Sequence, residues 1–166
     1  MLFVIHCVLW SCMRVSQAVA ISELRRSKPV AIPTETVWGL AARLEDEAGI
    51  RAIFSLKKRP LVNPLIIHID DVSCLKEYAK EPLPPGTVEL ATAFWPGPLT
   101  LVLPCHEDRV PAVARANLLT AGFRVPKEEA TLNLLQAIGP LVAPSANLSG
   151  RPSATEMGHV EEDFGE

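Results

Sequence analysis

The chain has 166 residues, 48% of them hydrophobic, and a formal net charge of −3, which supports one sizeable core and excludes wholesale disorder. Affinity for phosphate backbones is built from many Lys and Arg contacts, so this charge argues against a general nucleic-acid binder and leaves room for a local basic site. Cys7, Cys12, Cys74 and Cys105 form no CxxC pair and have no His cluster at metal spacing, so they read as buried or incidental thiols in a reducing compartment.

The N-terminal stretch MLFVIHCVLWSCM is apolar but shorter than the ~20 residues a membrane span needs. Its first cation is Arg14, whereas a signal peptide opens on positive charge. It reads as a weak signal sequence, a core strand, or an extension upstream of a start at Met13. The third is favoured, because MRVSQAVAISELRRSKPVAIP opens a well-formed helix and strand. The expected organisation is an extension over 1–14 and one domain over 15–166, short at its C-terminus.

Val15, Ala18, Val19 and Leu24 recur at near-helical spacing and end at Arg25 and Arg26, cations suited to a helix C-terminus. PVAIP (29–33) is a strand, and Ile50, Ile53, Phe54 and Leu56 give 46–57 an apolar helical face. PLIIHI is a buried strand, and 71–80 a helix that Asp71 can cap. Next come the loop EPLPPG, a helix to Phe94, the turn WPGP, a strand over 99–104 and an irregular segment over 105–117. LTAGFRVP (119–126), a helix over 127–138 and the strand PLVAP (140–144) complete the alternation of an α/β layered domain.

Four polar clusters sit at strand ends, where open α/β sheets tend to place ligands. PTETVWGL (33–40) brings Thr34, Glu35 and Thr36, equally consistent with a turn. KKRPLVNPLIIHI (57–69) sets Lys57, Lys58 and Arg59 beside two prolines, and His68 alternates with Ile67 and Ile69. Thr120 and Arg124 share one face of their strand. APSANLSGRPSAT (143–155) carries Ser, Asn and Arg groups, and Ser153-Ala-Thr-Glu156 fits a capping box. No GxSxG, HExxH or Walker A motif is present. Positioning and charge stabilisation, as in nucleotidyl or phosphoryl transfer, are the chemistry this inventory suits.

PTETVWGL, KKRPLVNPLIIHI, FWPGPLTLVLP, FRVP and APSANLSGRPS resemble, in order and spacing, the YrdC-like family of threonylcarbamoyl-AMP synthases, from about Ser22 onward. The resemblance implies a twisted open mixed sheet with flanking helices around a concave basic cavity. It implies a cytoplasmic nucleotidyltransferase that turns L-threonine, bicarbonate and ATP, with Mg2+, into threonylcarbamoyl-AMP and pyrophosphate. The product would pass to the tRNA threonylcarbamoyl-transferase complex, which modifies a tRNA position next to the anticodon. By the same resemblance Lys57 and Arg59 are catalytic cations on the triphosphate. Asn63, Thr120, Ser145, Asn147 and Ser153 would bind nucleotide, and Thr34, His68, Arg124, Ala143 and Ser145 would bind threonine, with no protein metal ligand.

The chain departs from the family pattern at Trp38, where tyrosine is usual, and at Lys58, where glycine is usual. Leu61 and Val62 replace small or polar residues, and the chain stops at Glu166. These departures keep a degenerate paralogue in view. Another alternative is a non-catalytic module binding tRNA or double-stranded RNA, which the net charge and the single tyrosine disfavour. A relative of the hydrogenase-maturation carbamoyltransferases would need added zinc-finger-like and acylphosphatase-like parts, and none is visible.

Overall fold

Successive side chains along each strand point to opposite faces of one sheet, and both faces of the strands Val30–Ile32, Gly39–Arg43 and Leu141–Val142 are buried. The computed structural model describes residues 2–6 and 11–165. Its strands are β1 (Leu2–His6), β2 (Ser11–Val15), β3 (Val30–Ile32), β4 (Gly39–Arg43), β5 (Ile66–His68), β6 (Leu101–Pro104), β7 (Thr120–Arg124) and β8 (Leu141–Val142). They join in the order β2-β1-β3-β4-β8-β5-β7-β6. Among the described residues only β5 and β7 pair in parallel, so the sheet is mixed, as expected.

Helices flank it: α1 (Gln17–Arg25), α2 (Glu47–Lys57), α3 (Leu75–Tyr78, after a 3-10 turn), α4 (Thr87–Phe94), α5 (Glu129–Ile138) and α6 (Met157–Phe164). Leu40, Ala42, Ile67, Phe123 and Val142 pack with Ile50, Ile53 and Phe54 of α2 and Val160 and Phe164 of α6. On the opposite face Val30, Ile32, Ala41 and Leu141 meet Ala20 and Leu24 of α1 and Leu134 and Leu135 of α5. That second layer covers β3, β4 and β8. Over β5, β7 and β6 the same face presents Ile66, His68, Gly122, Arg124 and the exposed Val102.

Several local features follow the sequence reading. Asp46 accepts from the Gly49 amide to start α2, and Asp71 accepts from Ser73 where the cap was expected. Others differ. GLAAR forms β4 between β3 and β8, where only the loop after PVAIP was foreseen. The Ser153 capping box does not form: Glu156 occupies the N-cap of α6 without a side-chain cap bond, and Ser153 lies exposed four residues ahead of Met157. The cause is a competing backbone pairing, in which the carbonyl of fully buried Ala154 accepts from Trp38 N–H at 2.7 Å.

Residues 2–6 and 11–14 of the expected N-terminal extension pair as strands with each other, β2 running on to Val15, and β1 also pairs with β3. Residues 7–10, including Cys7, lie outside the described residues. Of the cysteines, Cys105 is a buried free thiol and Cys74 a half-buried one. Among the described residues no helix is long and apolar enough to cross a membrane.

Candidate active site

Where the α1/α5 layer ends, the uncovered sheet face and three loops enclose a cavity of about 290 Å3. All four polar clusters reach it. The loop after β3 contributes Thr34, Thr36 and Val37, the chain after α2 contributes Arg59 and Pro64, β5 and β7 contribute Ile66, His68 and Arg124, and the strand end after β8 contributes Ala143, Pro144 and Ser145. His68 and Arg124 lie side by side in the parallel β5–β7 register. Gly39 floors the cavity because a Cβ there would stand 3.1 Å from the Ala143 Cβ.

Thr34 also builds its own loop. Its hydroxyl donates to the Val37 carbonyl at 2.6 Å and accepts from the Thr36 and Val37 amides at 3.2 Å each. The turn reading and the site reading of this segment therefore hold together. Next to it, Glu35 crosses to Arg124: Nη2 donates to Glu35 Oε1 at 2.7 Å and to Thr36 Oγ1 at 3.1 Å, while Nε donates to the Gly97 carbonyl. Lys127 N–H donates to the second carboxylate oxygen. Burial opposes the Glu35 charge, but these bonds outweigh it and hold the carboxyl below its ordinary range. Arg124 thus enters the site already paired with an anion.

His68 is 2% exposed, and burial, reinforced by the Arg124 charge, pushes its pKa down to about 4. The ring is neutral at physiological pH, and its Nδ1 has no hydrogen-bond partner among the described residues. An unpaired buried ring nitrogen beside a cavity is a hydrogen-bonding position for a bound molecule.

The two cations of the KKRP motif part company. Arg59 reaches the cavity, held by Nη2 to the Pro64 carbonyl at 3.1 Å. Lys57, expected beside it on the triphosphate, is 1% exposed and does not line the cavity. Its ammonium donates to the Ser145 carbonyl at 2.5 Å and to the Asn147 carbonyl, behind the cavity wall. Burial and then the Arg59 charge lower its pKa to about 8, with Asp163 pulling the other way.

Asn147 is also buried, and its amide nitrogen donates to the Leu148 and Arg151 carbonyls. Asn63 is exposed at the rim beside Pro64, Thr120 is half-buried further along β7, and Ser153 lines a separate cavity beyond the 145–151 loop. Thr34, Arg59, His68, Arg124, Ala143 and Ser145 are therefore brought together, and the other expected residues stand around them. The Glu35–Arg124 pair and Asp163 were not foreseen. Opposite charges at the site were the only signal for the first, and no motif marks the second.

A lining of hydroxyl, imidazole and guanidinium groups over an apolar floor can bind and orient an anionic ligand carrying its own polar groups. Among the described residues no group of three or more His, Cys, Asp or Glu side chains could hold a metal ion. Fold and cavity define a class, an α/β domain with a polar, cation-bearing cavity on an uncovered part of its sheet. Within that class, residues 22–166 match the model of the Sua5/YciO/YrdC family, described as "Telomere recombination". The chain belongs to this family.

It is 49% identical over 147 residues to a protein of Pyrococcus abyssi (strain GE5 / Orsay) named "Threonylcarbamoyl-AMP synthase", a match covering 88% of this chain and 43% of that protein. A protein of Bacillus subtilis (strain 168) with the same name is 43% identical over 152 residues, covering 91% of this chain and 43% of its own length. The crystal structure of P. abyssi Sua5 complexed with L-threonine superposes with a TM-score of 0.85 at 47% identity, over 92% of this chain and 45% of that one. The chain thus spans less than half the length of these relatives.

Proposed function

We propose that this domain forms threonylcarbamoyl-AMP and pyrophosphate from L-threonine, bicarbonate and ATP. The observation that carries the reading is the convergence of Thr34, Arg59, His68, Arg124 and Ser145 on one cavity. The threonine complex of a 47% identical protein supports it. Threonine's amine and bicarbonate give a carbamate and water. A carbamate oxygen then attacks the α-phosphorus, the bond to the bridging oxygen breaks, and pyrophosphate leaves.

Both reactants are anionic, so the site must lower their repulsion. Arg59, the cavity cation without a carboxylate partner in its side-chain bonds, takes the phosphates. Arg124, Thr34 and neutral His68 hold threonine, with Ala143 as apolar wall. Ser145 lies between amino acid and nucleotide. Lys57 acts through the Ser145–Asn147 backbone that it grips, and Asn63, Thr120 and Ser153 stand where a nucleotide longer than the cavity would extend. Mg2+ would enter with ATP, held by phosphate oxygens. The product's consumer is a tRNA threonylcarbamoyl-transferase complex, and the setting is cytoplasmic.

The test is pyrophosphate release by the purified chain, with L-threonine and bicarbonate each present or omitted and the adenylate detected by mass. Release requiring both is expected. No release from a protein that melts cooperatively overturns the assignment.

A further inference from the structure

We propose that Asp163 is a positioning residue, whose buried carboxylate on α6 holds the 145–151 loop in the shape that presents Ser145 to the cavity. Its Oδ2 accepts from the Leu148 amide at 2.8 Å, and its Oδ1 from the Arg151 guanidinium at 2.5 Å. The carboxylate side chain is 7% exposed. This is a poor place for an acid on the helix's own account. Asp163 lies in the last turn of α6, where the macrodipole is negative and the turn holds no cation. The loop explains the placement.

Lys57 holds the loop from the other side. Its ammonium donates to the Ser145 and Asn147 carbonyls, and its own carbonyl accepts from the Ser149 amide at 2.9 Å. Between these anchors Asn147 closes the loop on the Leu148 and Arg151 carbonyls. A segment without regular secondary structure is thereby fixed by one buried cation and one buried anion on two different helices. Removing the anion leaves the Leu148 amide without its acceptor and releases Arg151, while Thr34 and Arg124 on the cavity's threonine side keep their own hydrogen bonds.

Asp163→Ala and Asp163→Asn test this, by amide exchange and by kinetics. In Asp163→Ala, exchange at Leu148 and Ser149 speeds at least tenfold, while amides of β5 and β7 keep their protection. The kinetic arm rests on the proposed reaction: kcat/KM for ATP falls at least tenfold, and KM for L-threonine stays within twofold. Asp163→Asn recovers part of both losses, because its amide oxygen still accepts from Leu148.

Wild-type exchange at Leu148 and Ser149 in Asp163→Ala overturns the proposal. So does equal loss toward both substrates, or protection lost throughout the sheet, either of which marks a residue of general stability. A wild-type chain that releases no pyrophosphate would sink the reaction, and the exchange result would still decide the loop's anchor.

Discussion

Replacing Lys57 with methionine removes a buried cation and keeps most of the side chain's length. The wild-type ammonium is 1% exposed, and its pKa falls from the ordinary 10.5 to about 8 through burial, then the Arg59 charge, against Asp163. Holding the proton in the folded state therefore costs about 3 kcal/mol at neutral pH. The folded value lies below the unfolded one, so the unfolded chain binds more protons between pH 8 and 10.5. The side chain's contribution to stability must then rise with pH across that window. It should gain about 2 kcal/mol between pH 7 and 9.5.

A neutral amine still has two N–H groups for the Ser145 and Asn147 carbonyls, so deprotonation relieves the charge without orphaning its partners. Methionine has no donor: the Asn147 carbonyl loses its partner, at about 1–3 kcal/mol, while the Ser145 carbonyl keeps the Asn147 amide at 3.1 Å. Urea unfolding of wild type and Lys57→Met at pH 7, 8, 9 and 9.5 reads the difference directly, because all other titrations cancel. The gap should widen in favour of wild type as pH rises. Parallel stabilities over that range would show that Lys57 is not a depressed, buried ammonium, and the argument from its burial would fail.

Arg59→Ala should lower kcat/KM for ATP at least tenfold, about 1.4 kcal/mol in the barrier, in steady-state pyrophosphate release. Its half-exposed bonds to the Asn63 and Pro64 carbonyls are worth about 1 kcal/mol or less of stability, so melting should barely move. Lys58 sits at the C-cap of α2 with φ +50°, left-handed backbone that disfavours a side chain. Lys58→Gly relieves about 1 kcal/mol of strain and loses part of it to glycine's unfolded-state entropy, a net gain of about 0.5 kcal/mol by denaturant midpoint. His68 folds with its pKa lowered to about 4 from 6.5, so the stability it carries is full above pH 6.5 and drains as pH falls from 6.5 to 4. Against His68→Leu, wild type should lose about 2.5 kcal/mol between pH 7.5 and 4.5, and equal acid sensitivity of the two would refute a buried neutral ring.

Much of the fold was legible because the signals are local. The 3.6-residue recurrence in α2, the apolar runs of β3, β5 and β8, and the prolines and glycines between them depend only on neighbours in sequence. The ordered motifs likewise marked which segments carry Thr34, Arg59, His68, Arg124 and Ser145. β4 was missed because GLAAR has no polar alternation to show. Both its faces are buried, one against α2 and the other against α1, a fact of layering rather than of pattern. Ser153 has the letters of a helix cap, and the Ala154–Trp38 backbone bond overrules them.

The division of labour between neighbouring cations was beyond the sequence for the same reason. Lys57 ends α2 on its buried face, and the left-handed turn at Lys58 sends Arg59 the other way, into the cavity. Sequence distance between them is two residues, but one cation meets the loop from 145 onward and the other meets the ligand side. Glu35 finds Arg124 across 89 positions. Which charges exist, and in which order, follows from the chain itself. Which are desolvated, paired or left for a ligand is decided by long-range packing, because burial and charge partners are properties of the assembled sheet and not of any segment within it.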